Sequence, residues 1–212
     1  MLAIISFSVL YGLVPFLIFL VFKNNISKKI KAITPFLVLA FISSIYEFVF
    51  TILMKWDGSN WFIIYCVISF FVVFYYFSTI LKNFNRLLKF LSFSLFLLML
   101  LFLIIGYNSK DYFLICSFID TYITIFIFVF SLFWFREIFR DLEYESLLSI
   151  PDFYFVSGFI LYYFGNFFLF LMAELIYKSD QDLLQYYWLL NLFLLIIIRT
   201  LLIVGIWKAR VK

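Results

Sequence analysis

Glu47, Asp120 and Arg199 are the side chains best placed to do chemistry, because each stands inside a long apolar run of the sequence. If those runs cross a membrane, an ionisable group at such depth costs at least about 2.5 kcal/mol on insertion scales and therefore faces a bundle interior with a partner. Their neighbours fall on helical faces. Ser43, Ser44, Glu47 and Thr51 recur at three- and four-residue steps, and Ser117, Asp120, Thr121, Thr124 and Ser131 repeat the arrangement further along. Gly158, Tyr162, Gly165 and Asn166 share one side of a later run, and Asn191 precedes Arg199 by about two turns. Two carboxylates, a guanidinium, two amides and a phenol make a charge-assisted network: Glu47 or Asp120 with Arg199, aided by Asn166, Asn191 and Tyr162. Open to the outer face, that network is a ligand or ion pocket; closed, it is an interhelical clamp whose hydrogen bonds contribute about 0.6 kcal/mol each. Glu174 stands near the end of its run, within reach of interfacial water.

The elements that hold these residues follow from composition. Of 212 residues, 67% are hydrophobic, 25% aromatic and only 13% charged. A soluble domain is about 25% charged, so there are too few charges here to clothe a water-facing surface. Disorder is excluded by the aromatic content. Seven apolar runs, 2–22, 33–54, 61–81, 87–106, 112–135, 153–177 and 183–207, are each about as long as a helix needs to cross some 30 Å of hydrocarbon. Barrel strands would alternate instead of running continuously apolar. The expected fold is all-α: a single seven-transmembrane-helix bundle, with loops too short for an appended domain. The first run has no basic start and no small-residue cleavage site, so it reads as a retained helix and not a signal peptide.

Orientation follows from basic residues in the loops. Lys23, Lys28, Lys29, Lys31, Lys82, Arg86, Lys89, Arg136, Arg140, Lys208, Arg210 and Lys212 fall on one side; Lys55, Lys110 and Lys178 fall on the other. The first set marks the cytoplasm, placing the N-terminus outside and the C-terminus in the cytoplasm. Trp56, Trp61 and Trp188 then lie at the outer interface, with Trp134 and Trp207 at the inner one. The net charge of +4 resides in these inner anchors, so it points to anionic lipids at the cytoplasmic face and not to nucleic acid.

The absent residues exclude several chemistries. The chain has no His, which removes imidazole metal sites, His-ligated haem and triads with a His base. No Lys stands mid-run to form a retinal Schiff base, and there is no phosphate-binding Gly loop, so no cofactor or metal is expected. Cys66 and Cys116 lie at similar depth, which permits a disulfide or two small buried apolar residues. The segment FREIFRDLEYESLLSIPD carries Arg136, Glu137, Arg140, Asp141 and Glu145 at spacings that suit a helical continuation of the fifth run, ending before Pro151. It reads as a solvated extension or as a docking surface for a cytoplasmic partner.

The helix count and topology resemble the SWEET sugar transporters, although their Pro-Gln signature is missing and the first three runs do not repeat in the last three. The stretch LLSIPDFYFVSGFILYYFGNFFLF, with Pro151, Phe153, Gly158, Tyr162, Gly165 and Asn166, is similar to small seven-helix proteins of Bacteroidota. Tyr154 stands where that pattern commonly has Trp. The resemblance implies association with a sensor histidine kinase or another membrane-complex subunit. The expected function is a non-enzymatic integral membrane sensory or accessory module, in the inner membrane of a bacterium. It binds a small ligand, lipid or ion from the outer side and couples to a partner. A proton-coupled or small-solute transporter titrating Glu47 and Asp120 is the alternative, followed by a structural subunit of a membrane complex.

Overall fold

A computed structural model describes residues 2–26, 28–81, 86–106, 112–141, 146–179 and 181–210. Glu145, Lys82, Lys110 and Lys212 lie outside the described residues, as do the side chains of Lys28, Lys29, Asp141, Glu174 and Lys178. The chain is all-helical, as its composition predicts. Its elements are α1 (Leu2–Tyr11), α2 (Val14–Phe22), α3 (Thr34–Tyr46), α4 (Ser59–Ile80), α5 (Arg86–Gly106), α6 (Tyr112–Asp141), α7 (Pro151–Ser179) and α8 (Gln181–Lys208). Among the described residues, five stretches are long and apolar enough to cross a membrane: Ile4–Asn25, Ile30–Leu53, Asn60–Ile80, Ile115–Arg140 and Tyr187–Lys208.

The first run is a broken rod, not one helix. Pro15 has no N–H to offer the Tyr11 carbonyl, and its ring crowds that turn. The chain tightens just before it: Gly12 N–H bonds Val9 O at 3.0 Å and Leu13 N–H bonds Leu10 O at 3.0 Å. In a continuous α-helix the Gly12 N–H would have served the Ser8 carbonyl.

The second run also changes character partway. After Tyr46 the backbone widens into a π-helical stretch, Glu47–Leu53, closed by Met54 N–H on Val49 O at 3.0 Å. A wider turn rotates later residues off the face set by earlier ones. Ser43 and Ser44 are buried, Glu47 is half-buried and Thr51 is exposed, so the expected single stripe splits.

The core lies among α4, α6, α7 and α8. Phe70, Phe77, Phe155, Phe159, Ile119 and Ile123 are fully buried there, with Phe96 of α5 stacked on Phe70 at 3.6 Å between ring centres. The antiparallel α7–α8 pair is the closest, and glycines set its spacing. A Cβ on Gly158 would meet Ile198 at 3.3 Å, one on Gly165 would meet Leu194 at 2.8 Å, and one on Gly205 would strike the Phe155 ring. The helix of the fifth run continues through Asp141, past the apolar stretch, as the charge spacing predicts; α7 starts at Pro151, which sits well in a first turn.

Candidate functional site

The polar residues gather at two centres. The first surrounds Arg199, which is 7% exposed. Its Nη1 donates to the Ser8 carbonyl, the one released by the break between α1 and α2, and lies 3.5 Å from Ser8 Oγ. A cation there also meets the negative end of the α1 dipole. Gly12 makes room for it: a Cβ at that position would overlap Ser44 Oγ and stand 2.7 Å from the guanidinium. Glu47 interacts electrostatically with Arg199 and accepts a hydrogen bond from Ser43 Oγ at 3.3 Å. Trp61 Nε1 in turn donates to Ser43 Oγ at 3.4 Å, and Tyr11 and Thr200 share a hydroxyl contact of 3.1 Å one residue away on each helix.

The second centre surrounds Asp120, which is 4% exposed. Cys66 Sγ donates to Asp120 Oδ2 at 3.8 Å. Cys66 and Cys116 are both buried free thiols. Helix register places further oxygens at this depth. Thr124 Oγ1 donates to the Asp120 carbonyl at 2.7 Å and lies 3.5 Å from the Tyr163 carbonyl, so in the antiparallel α6–α7 pair Thr121 stands level with Asn166. The Gly165–Leu194 contact then brings Asn191 to within about 3 Å of the same depth. Asn166 Nδ2 donates to the Tyr162 carbonyl at 3.0 Å, but Asn166 Oδ1, Asn191 Oδ1 and Thr121 Oγ1 are buried without a hydrogen-bond partner among the described residues. Orphaned buried acceptors are uncommon in folded proteins.

Of the residues singled out by the sequence, Glu47 and Arg199 therefore belong together, whereas Asp120, Asn166 and Asn191 share another level. By the same register Arg199 lies opposite Ile160 and thus level with Ile127, about 10 Å below Asp120 along α6. Among the described residues no hydrogen bond or ion pair joins Asp120 to Arg199. Tyr162 is buried between the centres, within electrostatic range of both. Tyr65, which the sequence does not single out, holds the same intermediate position, in range of Glu47, Arg199, Asp120 and Cys66. Its signal was its place: four residues before Ser69 and one before Cys66, on the buried side of α4. Ser8 and Gly12 were also missed, although the Gly12–Pro15 spacing marks the break that makes them useful.

Arg136 and Arg140 are exposed on the end of α6 and Glu137 is half-buried. Among the described residues no group of three His, Cys, Asp or Glu side chains is placed to hold a metal. No family model, curated protein or solved structure matches the chain.

Proposed function

We propose that this chain is a non-enzymatic integral membrane module that takes a small cationic or hydrogen-donating ligand at the Asp120 level and couples its presence to the Arg199 centre. The observation that carries this reading is the set of unpartnered buried acceptors, Thr121 Oγ1, Asn166 Oδ1 and Asn191 Oδ1, at the depth of a buried carboxylate. Carboxylate, amide and hydroxyl oxygens are the donor set of hard cations and of ammonium or hydroxyl ligands. Tyr65 and Tyr162 supply the path to Arg199, whose grip on the α1–α2 break is the element that a bound ligand would bias. Coupling requires that the ligand favour one helix arrangement over another.

In this reading all seven helical rods span the membrane, the N-terminus is outside, and Asp120 is approached from the outer side. The exposed Arg136 and Arg140, with Glu137, then face a cytoplasmic-side partner. The resemblance to small Bacteroidota proteins suggests a sensor histidine kinase or another membrane-complex subunit, in the bacterial inner membrane. The alternative is a carrier, favoured by the carboxylate buried mid-bundle at Asp120.

The test uses the purified full-length chain. Sodium, potassium and methylammonium chlorides are each added while thermal unfolding is followed, for wild type and Asp120→Asn. A ligand at a hundred times its Kd adds about 2.7 kcal/mol of stability, so a cation-selective rise in Tm that Asp120→Asn abolishes supports the site. No selective rise with any of the three overturns it. Uptake of the same cation into proteoliposomes, lost in Asp120→Asn, would replace the sensory reading with the carrier.

A further inference from the structure

A groove of about 750 Å³ opens between α2, α3 and α4. Its walls are apolar: Phe16 and Leu20 of α2, Val38 and Ile42 of α3, Ile68 and Val72 of α4. Leu20, Ile42 and Ile68 are exposed, so the groove opens sideways, towards the hydrocarbon of a surrounding bilayer. Its chemistry is asymmetric along its length. Lys23 and Lys31, both exposed, stand at one end, and Trp61 closes the other. Among the described residues no Asp or Glu lines it.

Its length is informative. Trp61 is level with Ser43, to which it is bonded, and Ser43 lies twelve residues along the chain from Lys31. At 1.5 Å per residue that is about 18 Å, long enough to take much of an extended acyl chain. A volume in the range of small-molecule sites, apolar along its walls and capped by two cations, has the form of an acyl-chain slot under a headgroup site. Basic pockets between membrane helices hold anionic headgroups in this way.

We infer that the groove holds one acyl chain of an anionic phospholipid, whose phosphate lies between the Lys23 and Lys31 ammonium groups. The inference rests on the membrane placement proposed above and is independent of the Asp120 site. Lys23 begins the 3₁₀ turn that follows α2 and Lys31 lies in the 3₁₀ stretch that leads into α3, so a phosphate between them would tie these two elements together.

The experiment is native mass spectrometry of the full-length chain released from detergent, titrated with phosphatidylglycerol or phosphatidylcholine of the same acyl chains. Wild type is expected to retain one phosphatidylglycerol with a preference of about tenfold or more over phosphatidylcholine. Lys23→Gln with Lys31→Gln is expected to bring the preference to near parity, and Arg136→Gln, an exposed cation on another helix, to leave it unchanged. Ile68→Trp, which fills the slot, is expected to remove the single retained lipid. Equal retention of both lipids by wild type overturns the inference, as does an undiminished preference in the double Lys variant. An equal loss in Arg136→Gln would also overturn it, by showing diffuse charge and not a site. Because the Lys and Arg variants alter only exposed side chains, the result stands even if Ile68→Trp fails to fold.

Discussion

Arg199 and Asp120 are both buried charges near the middle of the bundle, yet their surroundings differ. Arg199 has a backbone carbonyl released by a helix break, a nearby carboxylate and a glycine that clears its path. Asp120 has one long thiol contact. The first arrangement is furnished for the charge it holds; the second shares its level with buried oxygens left without hydrogen bonds among the described residues. A buried charge given its own partners acts as a fastening, and removing one partner exposes the cost of the other. Buried oxygens left without hydrogen bonds at the level of a carboxylate are instead complementary to something that brings positive charge or hydrogen atoms. In the proposed reading the two centres divide the roles that a single network would have combined: structure at Arg199 and recognition at Asp120.

This division can be broken most forcefully at Arg199. Arg199→Ala leaves Glu47 without its counter-charge and the Ser8 carbonyl without its donor, and is expected to destabilise the fold by about 3–5 kcal/mol. Arg199→Met with Glu47→Gln is expected to recover much of that loss, read by thermal unfolding in one detergent. If the single variant is as stable as wild type, Arg199 is not the fastening. Gly12→Ala tests the same centre from the backbone side: its Cβ meets Ser44 Oγ and the guanidinium, so a loss of about 1–3 kcal/mol from overpacking is expected.

Asp120→Asn should behave in the opposite way. It removes a buried carboxylate that has no basic partner among the described residues, so stability is expected to hold or to rise by about 1 kcal/mol, while the Tm response to cations disappears. A loss as large as that of Arg199→Ala would make Asp120 a second fastening and abolish the distinction. The smallest effect belongs to Tyr65→Phe, which removes one hydroxyl between the centres. It is expected to change stability by about 0.6 kcal/mol or less. In a double-mutant cycle, the coupling between Asp120→Asn and Glu47→Gln should shrink towards zero in the Tyr65→Phe background. Unchanged coupling would show that the centres are independent.

The helical class was legible because apolar runs of membrane length dominate the sequence, and the key charges were legible because ionisable residues inside such runs are rare. Asn166, Asn191 and Tyr162 could be picked out by helical spacing, as polar residues sharing a face or a run with those charges. What the sequence left open was which charge meets which. Choosing Glu47 over Asp120 as the partner of Arg199 depends on the register between α6, α7 and α8, which is read from glycine contacts between α7 and α8 and from the Thr124–Tyr163 contact between α6 and α7, all distant in sequence. The π-helical stretch after Tyr46 defeated the stripe through Thr51, because a period of 3.6 was assumed where the backbone widens. Tyr65 was hidden by its own abundance: among 15 Tyr and 34 Phe, one phenol between two charged centres carries no local mark.

The bond between Arg199 and the Ser8 carbonyl joins residues 191 positions apart. It has company: Tyr11 meets Thr200, Ile26 bridges to Arg210, and the Arg210 guanidinium lies over the rings of Phe22 and Trp207. The opening helices are therefore sealed by the closing one. Synthesis delivers α1 and α2 before α8, so the break at Gly12 stays without its cation until Arg199 has been made. A nascent chain halted before Arg199 would carry an unserved carbonyl in α1.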